Sequence, residues 1–167
     1  MIRITTPLKK EEIVKLKAGE EVFLSGIIYT ARDQAHKKSI PFDLEGVVIY
    51  YCAPTRTMPG QIIGACGPTT SRRMDNFTPS LLKAGLSGMI GKGNRSKEVV
   101  DAIKKQKAVY FLAYAGCGAL INKYVKNKKL IAYPELGPEA IYALEVKDFP
   151  LIVAIDSQGR NIYKNGV

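Results

Sequence analysis

Short apolar runs alternate along this chain with stretches of helical pattern, and that alternation admits few architectures. "EVFLSGIIYTA" at 21–31 carries Val22, Phe23, Leu24, Ile27 and Ile28 and reads as a strand, with Gly26 placed for a bulge. A short helix follows in "RDQAHKK". "GVVIYYCAP" at 46–54, nearly all apolar and ended by Pro54, predicts a second strand, and "GQIIGAC" at 60–66 a third. "SRRMDNFTPSLLKAG" is helical in character up to Gly85, with a break or restart at Thr78-Pro79. "LSGMIGKGN" is a fourth strand running into a glycine-rich turn, and "SKEVVDAIKKQK" an amphipathic helix capped by Ser96. "AVYFLAYAG" predicts a strand, "CGALINKYVKN" a helix, and "PEAIYALEVKDFPLIVAIDSQGRNIY" a helix-like turn, a strand and a hairpin-like end. Before all of these, Ile13, Val14 and Leu16 form a short helical face that stops at Gly19. Strands alternating with helices predict an α/β domain with a mixed sheet.

At 167 residues and 46% hydrophobic content the chain suits one domain, 1–167, without repeats or a low-complexity linker. The formal charge of +10, from 25 Lys and Arg against 15 Asp and Glu, predicts a surface that attracts anions. The densest lysines, Lys104–Lys107 and Lys126–Lys129, fall at the ends of helical patterns, where cations complement the macrodipole. No reading motif or aromatic-basic interleaving accompanies the charge, which argues against nucleic acid. Cys52, Cys66 and Cys117 are odd in number and lack a C-x-x-C pair, so neither a disulfide framework nor a metal knuckle is indicated. The longest apolar run, 108–121, falls short of the roughly 20 residues of a membrane helix. The start "MIRITTPLKKEE" lacks a signal-peptide pattern. These features predict a soluble, cytoplasmic protein with no membrane partner.

Three places share one design, in which an apolar strand enters a turn of small or hydroxyl residues, a helix begins, and a cation stands at the turn. They are "YTARD" with Arg32, "CGPTTSRR" with Thr69 and Arg73, and "GKGNRS" with Lys92. Ligands of open α/β sheets bind beyond the carboxyl ends of strands, so three such turns could surround one polyanion. Gly67 and Pro68 set a tight turn, Thr69, Thr70 and Ser71 offer hydroxyls, and Arg73 follows Thr69 by one helical turn. A hydroxyl there could equally be an N-cap, with both arginines solvated. Lys92 sits between Gly91 and Gly93, which let a ligand approach closely, but no phosphate-loop register fits, and an ordinary solvated turn has the same letters. Arg32 could clamp a carboxylate or pair with Asp33 or another acid. His36, the only histidine, is read as a proton relay or as structural.

"LSGIIYTARDQAH", "GACGPTTSRRMD", "GMIGKGNRS" and "EAIYALEVKDFPLIVAID" together resemble the β region of the class I fumarate hydratase and tartrate dehydratase family of iron–sulfur hydro-lyases. The resemblance runs from about residue 5 to 163. It implies a swivelling β/β/α domain with a mixed sheet flanked by helices, here as a separate β subunit. It also implies a [4Fe–4S] cluster bound by a partner α subunit and not by this chain, acting as a Lewis acid on a small dicarboxylate, in a hetero-oligomer such as α2β2. By the same resemblance Arg32, Arg73 and Lys92 bind the substrate carboxylates and Thr69 sits by the carbon that loses or gains a proton. Asp33 and His36 hold the Arg32 turn, and Gly67, Thr70, Gly91 and Gly93 shape the others. Fumarate hydration to L-malate is the first expectation. L(+)-tartrate or another hydroxy-dicarboxylate is the alternative, and a non-catalytic anion-binding module the third.

Overall fold

The computed structural model describes residues 2–114 and 118–163. One sheet holds β1 (Ile2–Thr5), β2 (Glu21–Thr30), β3 (Val48–Tyr50), β4 (Gly88–Gly91), β5 (Val109–Leu112), β6 (Val125–Ala132) and β7 (Ile141–Ile155). Neighbours from β1 through β5 run parallel, whereas β7 is antiparallel to β2, β5 and β6. Because β2 pairs with β7 as well as with β3, the strands β2-β3-β4-β5-β7 close into a ring, with β1 and β6 attached outside it. Along β2 the register breaks between Leu24 and Gly26, where the sequence predicts a bulge.

Alternation within the strands divides the core in two. Val48, Tyr50, Val109 and Phe111 join Val22, Leu24, Leu144 and Phe149 on one face. Ile49, Tyr51, Met89 and Tyr110 point to the other, which is covered by α3 (Thr78–Lys83) and α4 (Lys97–Gln106) through Leu82, Val99 and Ile103. Strands β3 and β4 are buried on both faces, which accounts for their unbroken apolar sequence. Three short helices complete the set: α1 (Lys10–Ile13), α2 (Asp33–Lys38) and α5 (Gly118–Ile121). The result is the expected mixed sheet flanked by helices. As predicted, Ser96 caps α4 by accepting from Val99 N at 3.3 Å, and α3 restarts at Thr78 after a 3₁₀ turn over Ser71–Met74.

Three expectations are corrected. "GQIIGAC" forms no strand, since both edges of β3 are already taken by β2 and β4. It folds instead as a loop closed on itself: Thr55 N donates to Ala65 O at 2.9 Å, and Ala65 N to Thr55 Oγ1 at 2.8 Å. The "CGALINKYVKN" helix shrinks to α5 and a 3₁₀ turn at Asn122–Tyr124, so Lys126–Lys129 lie on β6 and not at a helix end. Lysines on an outer strand discourage edge-to-edge pairing. Cys117 lies outside the described residues. Among the described residues no helix is long and apolar enough to cross a membrane.

Candidate functional site

Because β2, β3 and β4 are parallel, they leave the sheet on the same side, and the exits of β2 and β4 carry residues singled out in the sequence. Arg32 stands just past β2, Tyr51 just past β3 and Lys92 just past β4. Main-chain bonds lace the exits together. Ala31 N donates to Tyr50 O at 3.1 Å, Tyr51 N to Ile90 O at 2.8 Å, Thr69 N to Tyr51 O at 2.7 Å, and Ser71 N to Lys92 O at 3.0 Å. Thr70 and Lys92 thereby form a parallel bridge, which places the hydroxyl-rich segment directly beside the lysine turn.

The two arginines converge on one carboxylate. Arg32 Nε lies 3.7 Å from Asp33 Oδ1 and 4.0 Å from Glu139 Oε1, while Arg73 Nε lies 3.6 Å from Asp33 Oδ2. These separations are Coulombic contacts too long for hydrogen bonds. Arg32 Nε and Asp33 Oδ1 are buried without a hydrogen-bond partner among the described residues. His36 follows on α2, with Nδ1 2.7 Å from Arg32 O. Its ring lies against Tyr51 and Phe77, with centroids 5.8 and 5.6 Å away, and burial pushes its pKa below the usual histidine value despite the bond to Arg32. His36 therefore braces the Arg32 turn from behind.

Thr69 is half-buried and Thr70 exposed. Thr70 occupies the N-cap position of the Ser71–Met74 turn without making a side-chain cap bond. Gly67 meets the backbone of Gly118, and Cys66 N donates to Gly118 O at 3.2 Å. Gly91 has no room for a side chain: a Cβ there would run into Ser71 Oγ and stand 2.9 Å from Tyr51 Cδ2. Gly93 turns the chain after Lys92 with φ +84°.

The described residues do not fit an iron–sulfur cluster, which needs several accessible thiolates. Cys52 and Cys66 are fully buried in the first core face, and burial raises the Cys52 thiol well above its ordinary pKa. Among the described residues no group of three His, Cys, Asp or Glu could hold a metal ion.

Comparison with known proteins sets this geometry in a family. The model of the family described as fumarase C-terminus matches residues 1–166. The chain belongs to the fumarase C-terminus family. Relatives include a Methanocaldococcus jannaschii protein named "Putative L(+)-tartrate dehydratase subunit beta", 40% identical over 94% of this chain and 88% of its own length. The Escherichia coli L(+)-tartrate dehydratase subunit beta is 34% identical over 95% of this chain and 85% of its own. Fumarate hydratase 2 of Leishmania major is 35% identical over 92% of this chain, which spans only 29% of that longer protein.

In this fumarase C-terminus chain, sequence reasoning missed Arg95 and its partners. The side chain of Arg95 is fully buried against Asp75, Thr78, Tyr51 and Tyr110. Asp75 and Arg95 lie 20 residues apart in segments that read as ordinary charged turns, so no local pattern marked them as a buried pair.

Proposed function

We propose that this chain, acting as one domain over 1–167, is the β subunit of an iron–sulfur hydro-lyase and supplies the half of the active site that grips a dicarboxylate. Fumarate and L-malate are the first substrates to consider. The carrying observation is that Arg32 and Arg73 meet at Asp33 beyond the carboxyl ends of parallel strands, with the backbone of Lys92 bridged to Thr70 in the segment that carries Arg73, and with Arg32 Nε buried without a hydrogen-bond partner among the described residues. Such a substrate carries two negative charges, and elimination builds further charge on the carboxylate next to the carbon that loses its proton. Fixed cations at that place stabilise the transition state more than the ground state. Thr69, held by Tyr51 O beside these cations, would lie by that carbon. A threonine hydroxyl is a weak base, so it works either with its pKa depressed by the cations or as a relay to a carboxylate.

The [4Fe–4S] cluster belongs in this reading to a separate α subunit, which makes the isolated chain inactive and the working form a cytoplasmic hetero-oligomer such as α2β2. Names of relatives support the two-chain arrangement, since proteins named as β subunits match over 88% and 85% of their own lengths. Both are named for L(+)-tartrate, and that favours a tartrate dehydratase as the second reading. Anaerobic co-expression with an α-type protein carrying three cluster cysteines, followed by assay on fumarate, malate and tartrate, tests the proposal. Turnover of one of them by the complex and by neither chain alone is the expected result. A complex inert towards all three returns the chain to a non-catalytic anion-binding module.

A further inference from the structure

Behind the three turns lies a charged group that faces neither solvent nor the candidate substrate side. Arg95 Nε donates to Asp75 Oδ1 at 2.6 Å, and Nη2 donates to Thr78 Oγ1 at 2.8 Å and to Tyr51 Oη at 3.1 Å. Its guanidinium carbon stands 5.1 and 4.8 Å from the ring centres of Tyr51 and Tyr110. The other oxygen of Asp75 accepts from Ser96 N at 2.7 Å. Tyr110 has one hydroxyl proton, and a carbonyl can only accept, so that proton goes to Gly93 O at 2.8 Å. Ser71 Oγ, 2.7 Å from Tyr110 Oη, must then be the donor in their contact.

Tyr51, Ser71, Asp75 and Gly93 among these partners belong to segments of the candidate site or flank them. Tyr51 is the residue whose carbonyl holds Thr69 N. Ser71 and Asp75 bracket the turn that carries Arg73, and Gly93 follows Lys92. Gly91, by lacking a side chain, gives Ser71 Oγ the space through which it reaches Tyr110. Apolar residues of the same volume commonly match or exceed a buried ion pair in stability, so stability alone does not account for a buried arginine here. A directional network such as this one does something an apolar core cannot: it fixes the elements it joins at one spacing.

We propose that Arg95 and Tyr110 are positioning residues which set the distance between the Thr69–Arg73 segment and the Lys92 turn, so that cations from both grip a single dicarboxylate. This rests on the reading of the site as a dicarboxylate grip. Arg95 acts through Asp75 and Tyr51. Tyr110 acts through its hydroxyl, which joins Ser71 to Gly93.

Arg95 variants risk failing to fold, so the decisive substitutions are Tyr110→Phe and Ser71→Ala, which cut the same link without removing a charge. In the anaerobic αβ complex each should remain folded at the assay temperature, with the melting temperature lowered by roughly 2–12 °C for the buried groups left unpaired. Each should lower kcat/KM roughly 10- to 100-fold on whichever of malate, fumarate or tartrate the wild type turns over, since small misplacements of binding groups act on the reacting geometry. The double variant should be no worse than the poorer single one, because both remove one shared link. A kcat/KM within twofold of wild type, or fully additive losses, overturns the proposal, as a role confined to stability moves only the melting temperature. If the wild-type complex turns over none of the three acids, the dicarboxylate reading has failed, and amide NMR shifts of the full chain decide the coupling by themselves. Tyr110→Phe should then shift Ser71–Arg73 and Lys92–Gly93 together. Shifts confined to the neighbours of Tyr110 on β5 overturn it.

Discussion

Arg73→Ala separates a binding cation from a solvated one, because its structural and functional effects should differ in size. The Arg73 side chain is 49% exposed, and its one ion pair among the described residues, with Asp33, is 3.6 Å long. Exposed pairs of that kind contribute about 0–1 kcal/mol, so removal should shift the melting temperature by no more than about 4 °C in a chain this size. A charge-assisted bond to a substrate carboxylate contributes about 1.5–3 kcal/mol, which is roughly a 10- to 150-fold loss of kcat/KM. Arg72 supplies an internal control: it is the adjacent arginine, it is also exposed, and it lines a separate cleft with Pro79, Ser96 and Glu98. The assay is steady-state kinetics on the reconstituted complex, with thermal melts of the same preparations. Arg73→Ala should lose turnover and Arg72→Ala should keep it. Equal, near wild-type kcat/KM for both variants refutes the placement of Arg73 at the substrate.

Thr69→Val keeps the shape but removes the hydroxyl, and kcat should fall roughly 10²–10⁴-fold with little change in KM if Thr69 takes part in proton transfer; wild-type turnover in the variant contradicts that role. Asp75→Ala strands the buried Arg95 guanidinium and the Ser96 N–H. The expected loss is about 3–5 kcal/mol, or roughly 6–20 °C in melting temperature, and a melt within 3 °C of wild type would show that the pair is not what holds these segments. His36 is held below its ordinary pKa by burial, so the unfolded chain binds its proton more readily than the folded one. The contribution is therefore present above about pH 6.5 and lost as pH falls towards the folded pKa, and His36→Gln should flatten the dependence of denaturant midpoint on pH in that window.

What could be read in the sequence depended on whether local chemistry alone decided the outcome. β2 to β5 were legible because strands buried on one or both faces leave runs of Val, Ile, Tyr and Phe, and α4 because Ser96 and an amphipathic stripe mark its start. β1 and β6 were not. The first is four residues long, and the second presents Lys126, Lys128 and Lys129 on an outer strand, so neither carries a strong pattern. "GQIIGAC" carried the pattern without the outcome, since no free edge of β3 remained for it. In the candidate site, the grammar of strand, turn and cation holds for Arg32 after β2 and Lys92 after β4, whereas Thr69 and Arg73 follow the "GQIIGAC" loop and not a strand. That Arg73 would share Asp33 with Arg32 depends on bonds between distant segments, Thr69 to Tyr51 and Ala31 to Tyr50, which no local pattern encodes.

The quality of pairing then sorts the cations that the sequence shows as equals. Arg95 has short bonds to Asp75, Thr78 and Tyr51, at 2.6, 2.8 and 3.1 Å, and its charge is satisfied within the chain. Arg32 and Arg73 lie 3.7 and 3.6 Å from Asp33, Arg32 also 4.0 Å from Glu139, and among the described residues Arg32 Nε has no hydrogen-bond partner although it is buried. A buried donor left unpaired costs about 1–3 kcal/mol, so a carboxylate that accepted from Arg32 Nε would recover part of that cost. On the proposed reading the contrast sorts the roles: the arginine bonded within the chain builds the frame, and the loosely paired arginines would meet a ligand with carboxylates of its own.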